Sequence, residues 1–295
     1  MMPHDHILLG GFLVMAIIVP VTLEFTAVTA FGLHRAAELL THAFADYLVA
    51  LSFSAELLRQ MARADSLDLD CSLVVQREGG PAGIILLARR HDRSRVAGMA
   101  VVPAARRFGV GRAMMERVIN DARHHGDRAM VLEVIEQNFA AVQLYDKLGF
   151  TKVRRLVGFA GSRPLEAAPV TDLTRIDLPV FAAMLSAHEP PDWPWQLSGQ
   201  TVAQSASPGV GYTLAGAWIW LLNPAGPTVV VRAMAVEGEV NRTGRAEQLL
   251  RAVMARHPAP NWHVGAIWPE ECADWFDAVG LERQEITQWQ MSREL

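Results

Sequence analysis

The chain has 295 residues, 51% of them hydrophobic and 20% charged, with a net charge of −4. That length suits two domains, each closing its own core, and the charge balance lacks the basic excess that nucleic-acid binding needs. Its 2 cysteines, Cys71 and Cys272, stand one in each half, and its 10 histidines show no ligand clustering; a disulfide framework and a zinc site are both excluded, and two reduced thiols and no metal are expected.

Ile7 to Val21 is an uncharged apolar run broken by Gly10, Gly11 and Pro20. It is short for a membrane span of about 20 residues, and it lacks the basic start and small-residue cleavage site of a secretory signal. A marginal anchor, an apolar extension packed on the protein and an over-extended start with Met15 as initiator all remain open. The last two fit better, and a cytoplasmic location with no membrane partner follows from them.

Globular patterning begins at Leu23. Leu23–Thr29 reads as an edge strand. Leu33–Tyr47 places Ala36, Leu39, Leu40 and Ala43 on one helical stripe, and Ser54–Arg63 is a second amphipathic helix. Ser72–Gln76, Gly83–Ala88 and Val96–Val102 are expected as strands, the first two separated by the turn signal Glu78-Gly79-Gly80-Pro81. A helix over Val110–His125, a strand over Ala129–Val134, a helix over Phe139–Leu148 and a strand over Lys152–Leu156 complete the first half. The class is mixed α/β.

Ala160–Pro169 reads as a linker, and the second half of the chain repeats the pattern of the first. Aligning Met99-Ala100-Val101 with Met234-Ala235-Val236 sets an offset of 135 residues (234 − 99 = 135), which also puts Gly109 on Gly244, Gly111 on Ala246 and Val118 on Val253. The expected division is an extension over 1–21, a first domain over 22–160 and a divergent copy over 161–295. All 8 tryptophans lie in the second half. For Trp193 and Trp195 an aromatic-lined ligand pocket is one reading, and core or interface packing is the favoured one.

The chemistry-bearing segment runs from Met99 to Arg112. A strand there leads through a turn into a helix start with Gly109 and Gly111. Backbone N–H groups without side chains in the way, at the positive end of a helix, make an anion site suited to a pyrophosphate. The dinucleotide fingerprint is not met, because position 114 is Met and no βαβ unit opens the domain.

Arg106-x-x-Gly109-x-Gly111, followed by Leu132-Glu133-Val134, Asn138, Leu144-Tyr145 and Gly149-Phe150, resembles the two signatures of the GNAT acetyltransferases. The spacing is similar to that of the branch that acetylates ribosomal-protein N termini. The resemblance covers about Leu23 to Gly158 and implies a tandem GNAT fold, with a central, mostly antiparallel sheet flanked by helices. It implies acetyl-CoA as co-substrate and a primary amine as acceptor. Arg106, Arg107, Phe108, Gly109, Val110, Gly111 and Arg112 would hold the pyrophosphate, and Met99, Ala100 and Val101 would pair with the pantetheine arm as an added strand. Tyr145 would protonate the leaving thiolate, Glu133 would act as base, and Asn138 would position the pantetheine or the next helix. Each also has a structural reading: Tyr145 as packing, Glu133 as an ion-pair partner, Asn138 as a helix cap. In the copy, Asn241, Ala246 and Phe276 stand where Arg106, Gly111 and Tyr145 do, so catalysis through that tyrosine is lost there. The acceptor and the oligomeric state carry no readable signal. A non-catalytic acyl-CoA-binding module is the alternative to an enzyme.

Overall fold

A computed structural model describes residues 22–162, 172–204, 208–238, 240–257 and 259–295. The apolar leader and most of the expected linker lie outside the described residues.

The first half runs β1 (Leu23–Ala27), α1 (Val28–Phe31), α2 (Leu33–Ala43), α3 (Ala55–Asp65), β2 (Leu67–Arg77), β3 (Gly80–Arg90), β4 (Arg93–Val101), α4 (Val110–His125), β5 (Ala129–Ile135), α5 (Phe139–Lys147) and β6 (Thr151–Ser162). Ser54 caps α3, its hydroxyl accepting from the Leu57 amide at 3.1 Å. Helix α4 stops at Gly126 in the left-handed region, with Arg123, His124 and His125 in its last turn, where the helix dipole favours positive charge.

The second half repeats the order: β7 (Thr174–Ile176), α6 (Leu178–His188), α7 (Gly199–Ala203), β8 (Gly209–Leu214), β9 (Ala217–Leu222), β10 (Thr228–Val236), α8 (Arg242–Arg256), β11 (Asn261–Pro269), α9 (Ala273–Asp277), β12 (Glu282–Arg283) and β13 (Gln288–Glu294). All strands join one mostly antiparallel sheet in the order β1-β2-β3-β4-β5-β13-β6-β11-β10-β9-β8-β7, with β12 alongside β6.

The halves exchange their last strands. β13, the end of the chain, lies between β5 and β6 in the first half, with Met291 opposite both Leu132 and Lys152. β6 is longer than the sequence pattern predicts. Its start pairs with β13, and its continuation from Leu156 to Ser162 pairs with β11. The cores follow the strands: Met291 is buried with the first-half residues, while Val157 and Phe159 are buried with the second. The expected boundary at 160/161 therefore falls inside β6, and residues 288–294 complete the first half's sheet. Gly158 permits the crossover, since a Cβ there would stand 2.8 Å from the Ala266 amide nitrogen across the strand pair.

Candidate functional site

β4 and β5 are the parallel neighbours that open the site. They pair only over Arg93–Val96 and Ala129–Leu132, and Ala97 forms a bulge, skipped between Val96 and Gly98 in the register with β3. The bulge bends β4 away, so beyond it the edge of Met99 to Val101 that faces β5 has no strand partner. That free edge is what a pantetheine amide chain needs.

Between the diverging strands lies a cleft of about 690 Å³. Met99, Ala100 and Val101 form its floor, Arg106, Arg107, Gly109, Val110, Gly111 and Arg112 its end at the start of α4, and Asn138 and Leu144 line its far wall. Arg107 (φ 69°) and Gly109 (φ 78°) are both left-handed, which turns successive amides inward, and the first bond of α4 runs from the Ala113 amide to the Gly109 carbonyl. The amides of Val110, Gly111 and Arg112 are thus left without an intrahelical acceptor, at the positive end of the helix. At Gly111 a Cβ would touch Leu144, Val101 and Met99 at 3.5–3.8 Å, ordinary contact, so this glycine brings α4 close to β4 and α5.

Two residues expected at the phosphate end are used otherwise. Arg106 points its guanidinium at the α2–α3 connection: Nη1 and Nη2 donate to Asp46 at 2.6 and 2.7 Å, Nη2 also donates to the Ala43 carbonyl, and Nε donates to Val101 O at 3.1 Å. The arginine holds the Asp46 carboxyl below its ordinary range, and the carboxylate raises the guanidinium in return. Arg106 lines the cleft as a brace between the phosphate loop and residues 43–48. Phe108 does not line it. Its ring is 60% exposed and lies under the Arg77 guanidinium, 3.9 Å from the ring centre.

Asn138 lines the cleft, and its side-chain oxygen accepts from the Ala141 amide at 3.3 Å as the cap of α5. Tyr47, a residue that no sequence motif singles out, also lines the cleft with Phe44, Asp46 and Leu48. Tyr145 is buried on α5 beside Phe150, ring centres 5.9 Å apart, behind Leu144 and not itself among the residues that line the cleft. Burial, with a smaller contribution from nearby Tyr47, pushes its phenol well above the ordinary tyrosine range. It stays protonated at every physiological pH, the state a proton donor needs.

Glu133 requires a correction. Its Oε2 accepts from Nε and Nη2 of Arg95, both at 2.8 Å, and the two side chains are 4% and 3% exposed. It does not line the cleft, and its face of the sheet is covered. Gln290, its neighbour on β13, donates to the Asp192 carbonyl, Arg93 donates to Pro191 O at 3.0 Å, and Arg154 pairs with Asp192. Trp195 is buried against the first half, donating Nε1 to Asp65 O at 2.9 Å and lying under the Arg90 guanidinium. The other carboxylate oxygen of Glu133, Oε1, is buried without a hydrogen-bond partner among the described residues. The ion-pair reading of Glu133 and the interface reading of Trp195 describe what the structure holds.

The copy is packed shut. Asn241 (φ 53°) precedes α8, and its amide lies 2.5 Å from where a Gly244 Cβ would stand, filling the room the glycine leaves. Trp268, Trp275 and Phe276 are all buried and in ring contact, with Arg242 over Trp275. Trp275 takes the place of Leu144, which lines the first half's cleft. Beside these rings, burial pushes the Cys272 thiol up to about 12. Among the described residues there is no group of three or more metal-ligating side chains and no helix long and apolar enough to cross a membrane.

Residues 36–150 match the model of the acetyltransferase (GNAT) family. They form a GNAT acetyltransferase domain. The chain is 38% identical over 61 residues to the [ribosomal protein bS18]-alanine N-acetyltransferase of Escherichia coli (strain K12), covering 21% of this chain and 41% of that protein. It is 35% identical over 94 residues to an L-methionine sulfoximine/L-methionine sulfone acetyltransferase of Salmonella typhimurium, covering 31% of this chain and 48% of that protein. These matches span less than half the length of either relative. The tandem fold is shared with a tandem GNAT protein from the clavulanic acid biosynthesis pathway, at a TM-score of 0.61 and 17% identity, covering 92% of this chain and 98% of that one.

Proposed function

We propose that the chain is an N-acetyltransferase that moves the acetyl group of acetyl-CoA onto a primary amine, and that only its first half does so. The observation that carries this reading is the pairing, in one cleft, of an unpaired amide cluster at the start of α4 with the free edge of β4. Together these match the two ends of a coenzyme A chain, an anionic pyrophosphate and an amide-bearing arm. Bound there, acetyl-CoA supplies a thioester for an amine to attack.

The residues of the chain have three tasks. The amides of Val110 to Arg112 hold negative charge. The edge of Met99 to Val101 orients the arm, with a main-chain N–H available to the developing oxyanion. Tyr145, kept protonated by burial, donates to the departing thiolate. The Phe44–Leu48 segment, braced by Arg106, borders the acceptor's approach. Glu133 we assign to holding β4 and β5 together where they begin to diverge.

The test is thiol release from acetyl-CoA with the full chain against a panel of peptide N termini, amino acids, polyamines and aminoglycosides. Turnover with one amine class supports the reading. Tight acetyl-CoA binding with no transfer to any of them favours an acyl-CoA-binding module instead.

A further inference from the structure

The second half borders a cavity of about 410 Å³, lined on one side by α3 and on the other by β10 and β11. It shares no lining residue with the cofactor cleft. That size and its place between two halves are typical of small-molecule sites.

One residue dominates its chemistry. Arg232 sits in a bulge of β10, skipped between Val231 and Ala233, and the 135-residue offset makes it the counterpart of Ala97, the bulge of β4 (232 − 97 = 135). The device that opens the first half's cleft here aims a guanidinium into a cavity. Its Nη1 is buried with no hydrogen-bond partner among the described residues. Burial depresses its basicity, and Asp65 acts on it as an opposite charge without an ion pair to it within 4.0 Å. A half-buried guanidinium whose Nη1 is shut from water and has no carboxylate in contact is costly, and a ligand carboxylate matches its fork of donors.

The opposite charge is also available. Asp65 lines the cavity, 4.0 Å from Arg95 on its other side, and Gln196 presents a buried Oε1 that no group donates to. Both can accept from an ammonium. The other ionisable groups at this site are Arg63, on the rim and 70% exposed, His263, whose Nδ1 faces Gln284 at 3.1 Å, and Arg90, which donates to Ala64 O and Thr201 Oγ1 and acts on Asp65 as an opposite charge. Leu222, Val230 and Ile267 give the cavity an apolar wall, and Gly265 leaves it open: a Cβ there would find its nearest neighbour, Ile267 Cγ1, at 3.9 Å.

We propose that this cavity binds a free α-amino acid with an apolar side chain, its carboxylate on Arg232 and its ammonium facing Asp65. The site is separate from the acetyl-transfer cleft, and the proposal does not depend on that activity.

Calorimetric titration of the full chain with L-leucine tests it, with 4-methylpentanoate and 3-methylbutylamine as probes carrying one charged group each. L-leucine is expected to saturate one site, with each partial probe at least about tenfold weaker. Arg232→Gln and Gly265→Leu should each weaken L-leucine by at least about tenfold while acetyl-CoA binding stays as in the parent. Gly265→Leu keeps the guanidinium and only fills the cavity, so it decides the matter if Arg232→Gln does not fold. No L-leucine binding at millimolar concentration, equal binding of 4-methylpentanoate, or binding that survives Gly265→Leu would overturn the proposal.

Discussion

The two halves share an element pattern and a 135-residue sequence offset, and they differ in what fills the wedge between their parallel strands. In the first half the wedge is a cleft, since Leu144 and Gly111 leave it open and Arg106 is drawn aside to Asp46. In the second, Trp268, Trp275 and Phe276 occupy the corresponding space, and Asn241 covers Gly244. A sheet that splays must expose polar backbone to a ligand or to water, or else bury its opening under bulky side chains. This chain holds one solution in each half. The second half's contribution to the first is mechanical: it lends β13 to the sheet and lays residues 190–196 over the face that carries Arg95 and Glu133.

The largest expected effect tests that mechanical dependence. Stopping the chain before Gln288 removes the strand between β5 and β6 and exposes the core around Met291, a residue worth roughly 1.5–3 kcal/mol of burial by itself. The shortened protein should fail to fold as the parent does, losing the cooperative thermal transition in circular dichroism. A soluble, cooperatively melting product would show that the first half stands alone.

Next in size is Tyr145→Phe, which keeps the ring against Phe150 and removes only the hydroxyl. Loss of a proton donor should lower kcat roughly 10²–10⁴-fold with little change in acetyl-CoA affinity, measured by single turnover so that product release does not hide it. Near-normal turnover would make Tyr145 a packing residue. No flank of the pH–rate profile up to pH 9 should belong to this phenol, since its titration is displaced above the usual range.

Glu133→Ala is expected to act on stability. It strands the Arg95 guanidinium in the interior, a change that costs about 3–5 kcal/mol in buried pairs, and it should show as a lowered denaturant midpoint. Glu133→Gln should fall between, and high pH should not rescue either. Rescue of activity at high pH would return Glu133 to the role of base.

The smallest effect belongs to the brace. Arg106 holds the Asp46 carboxyl below its ordinary value, so the bridge is complete above the unfolded Asp value and is lost as pH falls through the depressed one. Both side chains are largely exposed, so Asp46→Asn should barely move the melting temperature. Its mark should be a change in KM for the amine, read from initial rates, because residues 43–48 border the approach.

Local chemistry was legible where a residue type answers a local need. The glycines at the start of α4, Asn138 as a cap, and the bounds of α4 all follow from neighbours a few positions away. The exchange of β13 and β6 was not, because a strand's partner is set by packing across the whole chain. Gln288–Ser292 alternates polar and apolar residues without indicating which sheet it joins. Motif spacing picks out both Glu133 and Tyr145, but spacing is silent on direction. Arg95 became the partner of Glu133 only through the parallel register of β4 with β5, and the covering residues 190–196 come from the other half. Arg106 belongs to the phosphate signature, while its real acceptor, Asp46, lies 60 positions earlier.

The contrast between an open and a filled wedge is measured most directly by calorimetric titration of the full chain with acetyl-CoA, repeated on Gly109→Val. The parent should bind one equivalent per chain. The valine variant, forced into a left-handed conformation that a β-branched residue resists at a cost of roughly 1–3 kcal/mol, should lose at least about tenfold in affinity. Two equivalents per chain, or one that persists unchanged in Gly109→Val, would contradict the assignment of the cofactor site to the first half alone.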